Sequence, residues 1–189
     1  MKTNQRFLAI SLVASLLASQ GLIAGTTPAY NKTYAVGGPV QDMGHAVAYD
    51  KDGDIYYGGM IAGTSIDVDP TAGSNLVNTN AGSTDALLTK VNSAGVYQWS
   101  KIVGANAFDR GSSLTTDVNG NVYLTGNFSG LNVNFNPGGS DLHSSAANGS
   151  EYDIYVTKIN ANGTYGWTRV LGGKIFFRGP GILIGSGRQ

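Results

Sequence analysis

Apolar and polar residues alternate along this chain in short runs, and the runs come in two sets of four. The first set is HAVAYD (45–50), DIYYGGM (54–60), DALLTKVN (85–92) and VYQWSKIVG (96–104). The second is SSLTTD (112–117), NVYLTGNF (121–128), DIYVTKIN (153–160) and TYGWTRVLG (164–172). Each run is strand-sized and rich in β-branched and aromatic residues, which suit a pleated, half-buried surface. Runs one and two are joined by D-x-x-G-[DN], and runs three and four by N-x-x-G. In both, Asp or Asn opens a tight turn and Gly takes its left-handed position. The spacing therefore predicts antiparallel hairpins.

The two sets are copies of one unit. Asp42 and Asp109, Gly44 and Gly111, Asp50 and Asp117, Gly53 and Gly120, Tyr56 and Tyr123, and Gly59 and Gly126 are each 67 residues apart. Asp67, Asp69 and Pro70 meet Asn134, Asn136 and Pro137 at the same offset. After one insertion, Asp85, Lys90, Asn92, Gly95 and Trp99 meet Asp153, Lys158, Asn160, Gly163 and Trp167 at 68. Four antiparallel strands recurring in register predict an all-β fold of β-propeller blades, with Trp99 and Trp167 filling space between blades on the outermost strand. A solenoid is the rival, but its coils are shorter and seldom carry four strands. The expected organisation is an outer strand of a preceding partial blade with its connection (30–44), one blade at 45–104, a second at 105–172, and a degenerate or truncated third repeat at 173–189. The segment YNKTYAVGG (30–38) keeps the register of YQWSKIVGA (97–105), with Lys32 in place of Trp. Phe176, Arg178 and Gly179 still match Phe108, Arg110 and Gly111, but Phe177 stands where Asp is expected. The chain stops at Gln189, opposite Asn121. These departures lead to the expectation of a fragment, its last residues either genuine or frame-shifted.

W-x-x-x-x-G-[GA], D-x-G, D-x-x-G-N-V-Y-x-x-G and D-[AI]-x-[LV]-T-K-[VI]-N-x-x-G, taken together over 30–179, resemble the SBBP repeat, named for a seven-bladed β-propeller. SIDVDP (65–70) and NVNFNP (132–137) resemble the insert of its longer subtype. The resemblance implies large bacterial exported or cell-surface proteins. It implies a scaffold and a compartment, not a reaction.

Composition narrows the function classes. The chain has 28 Gly among 189 residues and no Cys, so disulfides, thiolate metal sites and a lipidated N-terminal Cys are ruled out. Twelve basic and twelve acidic residues cancel, and no basic stripe is present, so a nucleic-acid partner is not expected. Lys2 and Arg6 precede an apolar run (7–18) and small residues at Ser19, Gly21 and Ala24, the pattern of a signal peptide over 1–24 cut between 21 and 29. Nothing else is apolar for long enough to span a bilayer, so the mature chain is expected to be secreted or displayed at the cell surface.

Candidate chemistry is sparse. DKDGD (50–54) is not an EF-hand loop: Gly53 is fourth rather than sixth, and Ile61 stands where a bidentate Glu is needed. The second copy, DVNGN, drops two carboxylates, so a hairpin turn is the better reading. Connections two-to-three and four-to-next-one leave a blade on the same face, which predicts that Asp42, Asp67, Asp69 and Asp109 share a loop face as candidate ligand-binding residues. Such a rim could hold calcium through oxygen ligands, with Asp85 beyond. Alternatively these side chains bond nearby backbone amides, which Asn134 and Asn136 would do equally well. His45 and His143 occupy unrelated repeat positions, one in an inner strand and one in a loop, so no metal pair or base is indicated. No G-x-S-x-G elbow, P-loop or H-E-x-x-H motif is present, and no cofactor is expected. Sequons begin at Asn31, Asn127, Asn148 and Asn162, and matter only in a eukaryotic secretory route. Tyr56, Tyr57, Tyr123, Tyr152 and Tyr155 could stack on a sugar, but packing between blades is favoured.

The leading expectation is a non-enzymatic structural or binding scaffold that presents loops to an extracellular protein or glycan, with neighbouring blades or subunits needed to close the ring. A lectin-like subunit that closes a propeller by oligomerisation is the second reading. A loop-face hydrolase in a full-length parent is the third.

Overall fold

The computed structural model describes residues 33, 35–79, 83–146 and 151–172. The expected leader, most of the preceding outer strand and the third repeat lie outside these residues, as do the sequons at Asn31 and Asn148.

Twelve strands are described. The first four-stranded antiparallel sheet has the order β1 (Met43–Tyr49), β2 (Ile55–Ala62), β5 (Thr84–Val91), β6 (Tyr97–Val103). The second runs β7 (Arg110–Thr116), β8 (Val122–Phe128), β11 (Asp153–Ile159), β12 (Tyr165–Leu171) in the same spatial order. All-β blades are thus what the chain forms, with strand ends within two residues of those expected. The copies agree down to their irregularities: both first strands carry a bulge, between Gly44 and Ala46 and between Gly111 and Ser113. There the first strand presses on its neighbour, and a Cβ at Gly59 would collide with the Met43 carbonyl, one at Gly126 with that of Arg110. The bulge and the glycine opposite it form one device, used twice.

The long connection between strands two and three differs from expectation. It is not a plain loop but a small hairpin: β3 (Ile66–Asp67) with β4 (Leu76–Val77), and β9 (Val133–Asn134) with β10 (Leu142–His143). Pairs of two-residue strands have too few positions to show a period, so the pattern along the chain could not reveal them. Each hairpin is tied to the connection that enters its blade, through bridges between Gly37 and Asp67 and between Gly104 and Asn134.

The sheets pack face to face, with β7 seated against β1, β2 and β5. Alternation in β5 sends Ala86 and Leu88 towards the second sheet, and Leu87 the other way onto Ile66 and Val68 of the insert hairpin. From the second sheet, Leu114, Leu124, Phe128 and Tyr155 complete the main core, joined by Phe135 of the second insert. Phe128, Phe135 and Tyr155 form an aromatic cluster with centroid separations of 4.9–6.3 Å, where edge-to-face contacts add to area burial. The main core lies between the blades, and a smaller cluster of Ile61, Ile66, Val68 and Leu87 lies between the first sheet and its own insert hairpin.

Candidate functional site

The two ends of the blades are built differently. At the connection end, aspartates hold the chain's crossovers in place. Asp42 accepts hydrogen bonds from the amides of Gly38 (2.7 Å) and Ala62 (3.1 Å). Asp109 repeats this with Ala105 (2.9 Å) and Ser129 (3.1 Å). Each carboxylate pins the entry into its first strand to the exit from its second. Both are buried, Asp109 fully, so they lie beneath the face rather than along an open rim. The bend at 39–40, and its counterpart at 106–107, folds the entering chain back over the aspartate and brings one of the two amides within reach.

Asp67 and Asp69 are more peripheral. The Asp67 carboxylate accepts from the amides of Asp69 (3.1 Å) and Asn75 (3.0 Å), and that of Asp69 from the amide and hydroxyl of Thr71 (2.8 and 2.6 Å). Asn134 accepts from Asn136 (3.0 Å) and Asp141 (3.1 Å) in the same way. The turn-bonding reading describes the geometry of all four candidates. Among the described residues no three His, Cys, Asp or Glu side chains come together as an ion would require.

One acidic contact was not legible in the sequence. Asp85, wholly buried at the start of β5, lies beside Gly104, and so does Asp109 from the next blade: a Cβ on that glycine would meet both carboxylates. Burial pushes the Asp109 carboxyl up to about 7; its two amide bonds pull it down, and the neighbouring Asp85 adds to the rise. Only a fold that stacks consecutive blades brings residues 85 and 109 together.

At the same end, between the base of the first insert hairpin and the connections that enter the two blades, lies a cleft of about 680 Å³. Gln41, Thr64, Thr79, Ser83, Asn106 and Phe108 contribute to its walls, and no charged side chain does among the described residues. The walls are fixed. Thr79 closes the base of its hairpin by exchanging bonds with both backbone groups of Gly63, and the Ser83 hydroxyl donates to the Ala105 carbonyl across the blade junction (3.0 Å). Phe108 rests edge-on against Tyr152 at 6.1 Å.

At the opposite end the D-x-x-G turn is a polar network. Asp50 accepts from the amides of Asp52 and Asp54 and from the Tyr56 hydroxyl (2.9 Å), which also lies 3.1 Å from the Gly120 carbonyl of the next blade. Lys90 is ion-paired to Asp54 at 2.9 Å and reaches the Ala161 carbonyl, also in the next blade. Burial would lower its ammonium, but hydrogen bonds to Tyr56 and Asp54 outweigh this and hold it above the ordinary value. DKDGD is thus a turn bound to its own amides and to the adjacent blade.

His45 donates from Nδ1 to the Gly111 carbonyl, 2.8 Å away across the blade junction. His143 lies in β10 rather than in a loop, 3.1 Å from an Asp141 carboxylate oxygen and edge-on to Phe135. Of the tyrosines considered for stacking, Tyr56 and Tyr155 are fully buried, and Tyr152 is exposed beside Phe108. No helix among the described residues is long and apolar enough to cross a membrane.

Comparison with known proteins agrees with this architecture. Residues 98–127, running from β6 through β7 into β8, match the model of the SBBP beta-propeller repeat. The chain is similar to an uncharacterized WD repeat-containing protein of Acanthamoeba polyphaga mimivirus, at 33% identity over 90 residues. That alignment covers 47% of this chain and 6% of the relative, so the chain spans only a small part of that protein's length. Repeat, register and paired four-stranded sheets converge: the chain forms blade-like four-stranded sheets and carries a beta-propeller repeat of the SBBP type at residues 98–127.

Proposed function

We propose that the chain is an exported, non-catalytic scaffold of the long-insert SBBP type, and that its connection end presents the cleft beside the first insert hairpin to an extracellular protein or glycan. The observation that carries this reading is the construction of that end. The first insert hairpin, closed by side-chain bonds to backbone, and the connections into the two blades frame a preformed cleft without charge on its described walls. A rigid core with shaped connections suits recognition. Amide, hydroxyl and aromatic groups without charge suit a neutral saccharide or an uncharged peptide. The buried aspartates support a non-catalytic role, because Asp42 and Asp109 have both oxygens engaged by backbone amides.

The test is a glycan array together with a panel of uncharged peptides, applied to the chain and to Thr64→Trp. Thr64 is exposed on the cleft wall, so the indole fills the cleft without disturbing the core. Binding that Thr64→Trp abolishes is expected. Binding unchanged in that variant, or no binding by either protein, refutes the reading. Export is checked separately, by fusing residues 1–30 to a reporter that is active only outside the cytoplasm.

A further inference from the structure

Two Asn–Gly pairs lie among the described residues, Asn119–Gly120 and Asn162–Gly163, while Asn148–Gly149 lies outside them. Both occupy a hairpin turn at the end of the blades opposite the cleft. In each the Asn is exposed and the Gly buried, with φ of 78° and 82°. Each Gly amide donates to the carbonyl of the residue that opens its turn, Gly120 to Asp117 at 3.0 Å and Gly163 to Asn160 at 2.8 Å. Backbone and setting are therefore matched, and the carboxamides differ. That of Asn162 is tethered: its Oδ1 accepts from the amide and the hydroxyl of Thr164 at 3.0 and 2.7 Å. Asn119 is bonded through its backbone amide, to Asp117 at 2.9 Å, and among the described residues nothing holds its carboxamide. A following glycine has no Cβ to shield its amide nitrogen, which puts that nitrogen within reach of a carboxamide free to swing.

The first blade shows what this turn tolerates. Asp52 stands there in the place of Asn119, with the same bonds: its amide donates to the Asp50 carboxylate at 3.0 Å, and the Gly53 amide to the Asp50 carbonyl at 3.0 Å. A carboxylate at this position is thus compatible with the turn. An added backbone atom is not. A Cβ on Gly120 would already touch Ala161 and the Asp50 carboxylate at 3.4 Å, and the Gly120 carbonyl lies 3.1 Å from the Tyr56 hydroxyl of the preceding blade.

We propose that Asn119 is a site of spontaneous covalent modification, where conversion to isoaspartate loosens the junction between the two blades. The Gly120 nitrogen bonds to Asn119 Cγ, and the carboxamide nitrogen leaves as ammonia with the Gly120 amide proton. One water then opens the succinimide, and no oxidant or reductant takes part. Water attacking the former side-chain carbonyl leaves an aspartate at position 119, which the turn accommodates as it does Asp52. Water attacking the main-chain carbonyl leaves isoaspartate, whose backbone runs through Cγ and is one atom longer. The longer turn cannot keep the Gly120 carbonyl on the Tyr56 hydroxyl. This modification is independent of the cleft and of what the cleft binds.

The test ages the full chain in warm, mildly alkaline buffer, beside Asn119→Gln and freshly prepared Asn119→Asp. Peptide fragmentation locates each conversion, an isoaspartyl methyltransferase counts isoaspartate, and calorimetry follows unfolding. Position 119 is expected to convert about tenfold faster than 162, the factor for one net side-chain bond that Asn162 must break. A second thermal transition, lower by about 5 °C for the lost junction bond, is expected to grow in step with isoaspartate at 119. Aged Asn119→Gln, whose longer side chain does not form the five-membered ring, is expected to keep one transition, and fresh Asn119→Asp to unfold with wild type. Conversion at 119 no faster than at 162 overturns the proposal. So does isoaspartate at 119 without the lower transition, or a lower transition that grows equally in Asn119→Gln.

Discussion

The bond between Tyr56 and the next blade can be measured by difference. Tyr56→Phe removes a fully buried hydroxyl within 2.9 Å of the Asp50 carboxylate and 3.1 Å of the Gly120 carbonyl. Tyr123→Phe removes the equivalent hydroxyl, 3.0 Å from Asp117, in a half-buried setting where Asn121 also donates to that carboxylate at 2.8 Å. A hydrogen bond to a charged group contributes about 1.5–3 kcal/mol, and a buried carbonyl left without its donor costs about 1–3 kcal/mol, whereas an exposed bond is worth about 0.5–1 kcal/mol. Because one hydroxyl proton serves both partners of Tyr56, the terms overlap. The expected loss is about 2 kcal/mol for Tyr56→Phe and under ~1 kcal/mol for Tyr123→Phe. The assay is urea unfolding followed by tryptophan fluorescence, at protein concentrations where the chain is monomeric, with unchanged m. Equal losses at the two positions would show that the bond across the junction contributes nothing, and would refute the account of that junction.

Three further outcomes follow from individual groups. The folded chain keeps the Asp109 proton up to pH about 7, whereas an unfolded carboxyl near 3.8 has released it, so stability falls as pH rises from about 4 to 7 and is level above. The full slope corresponds to at most ~4 kcal/mol. Asp109→Asn should flatten that slope in pH-dependent urea titrations, at a fixed cost from the amide left unpaired; a slope unchanged in the variant contradicts the assignment. Gly163→Ala should destabilise by about 1–2 kcal/mol, since it combines a φ of 82° with contact against Trp99, and red-shifted tryptophan emission should accompany the lowered transition temperature. Ser65 holds a φ of 56°, so Ser65→Gly should stabilise by roughly 0.5–1 kcal/mol in calorimetry, whereas Ser65→Val should destabilise.

Much of the blade was readable before any coordinates. D-x-x-G and N-x-x-G fixed the hairpins because their geometry is local: the amides of Asp52 and Asp54 bond Asp50, and those of Asn119 and Asn121 bond Asp117. Trp99 and Trp167 were placed between blades for their size, and Trp99 does lie on the next blade's Gly163. The proximity of Asp85 to Asp109 was hidden, because it depends on how one blade seats on another. The depth of Asp42 and Asp109 was missed for a related reason. An aspartate in a turn is usually at the surface, and only the following strands show that these turns lie under the insert hairpins. The hairpins themselves are closed by short backbone pairs together with side-chain bonds, such as Thr79 to Gly63 and Ser145 to Gly130, which leave no periodic trace.

The exchange of Asp67 for Asn134 has a practical consequence. Both present one oxygen to the same pair of amides, so the fold of each hairpin depends on an acceptor and not on its charge. Asp67→Asn should therefore leave the outline of this end of the molecule unaltered. Surface electrostatics here can thus diversify from repeat to repeat while the contour is kept.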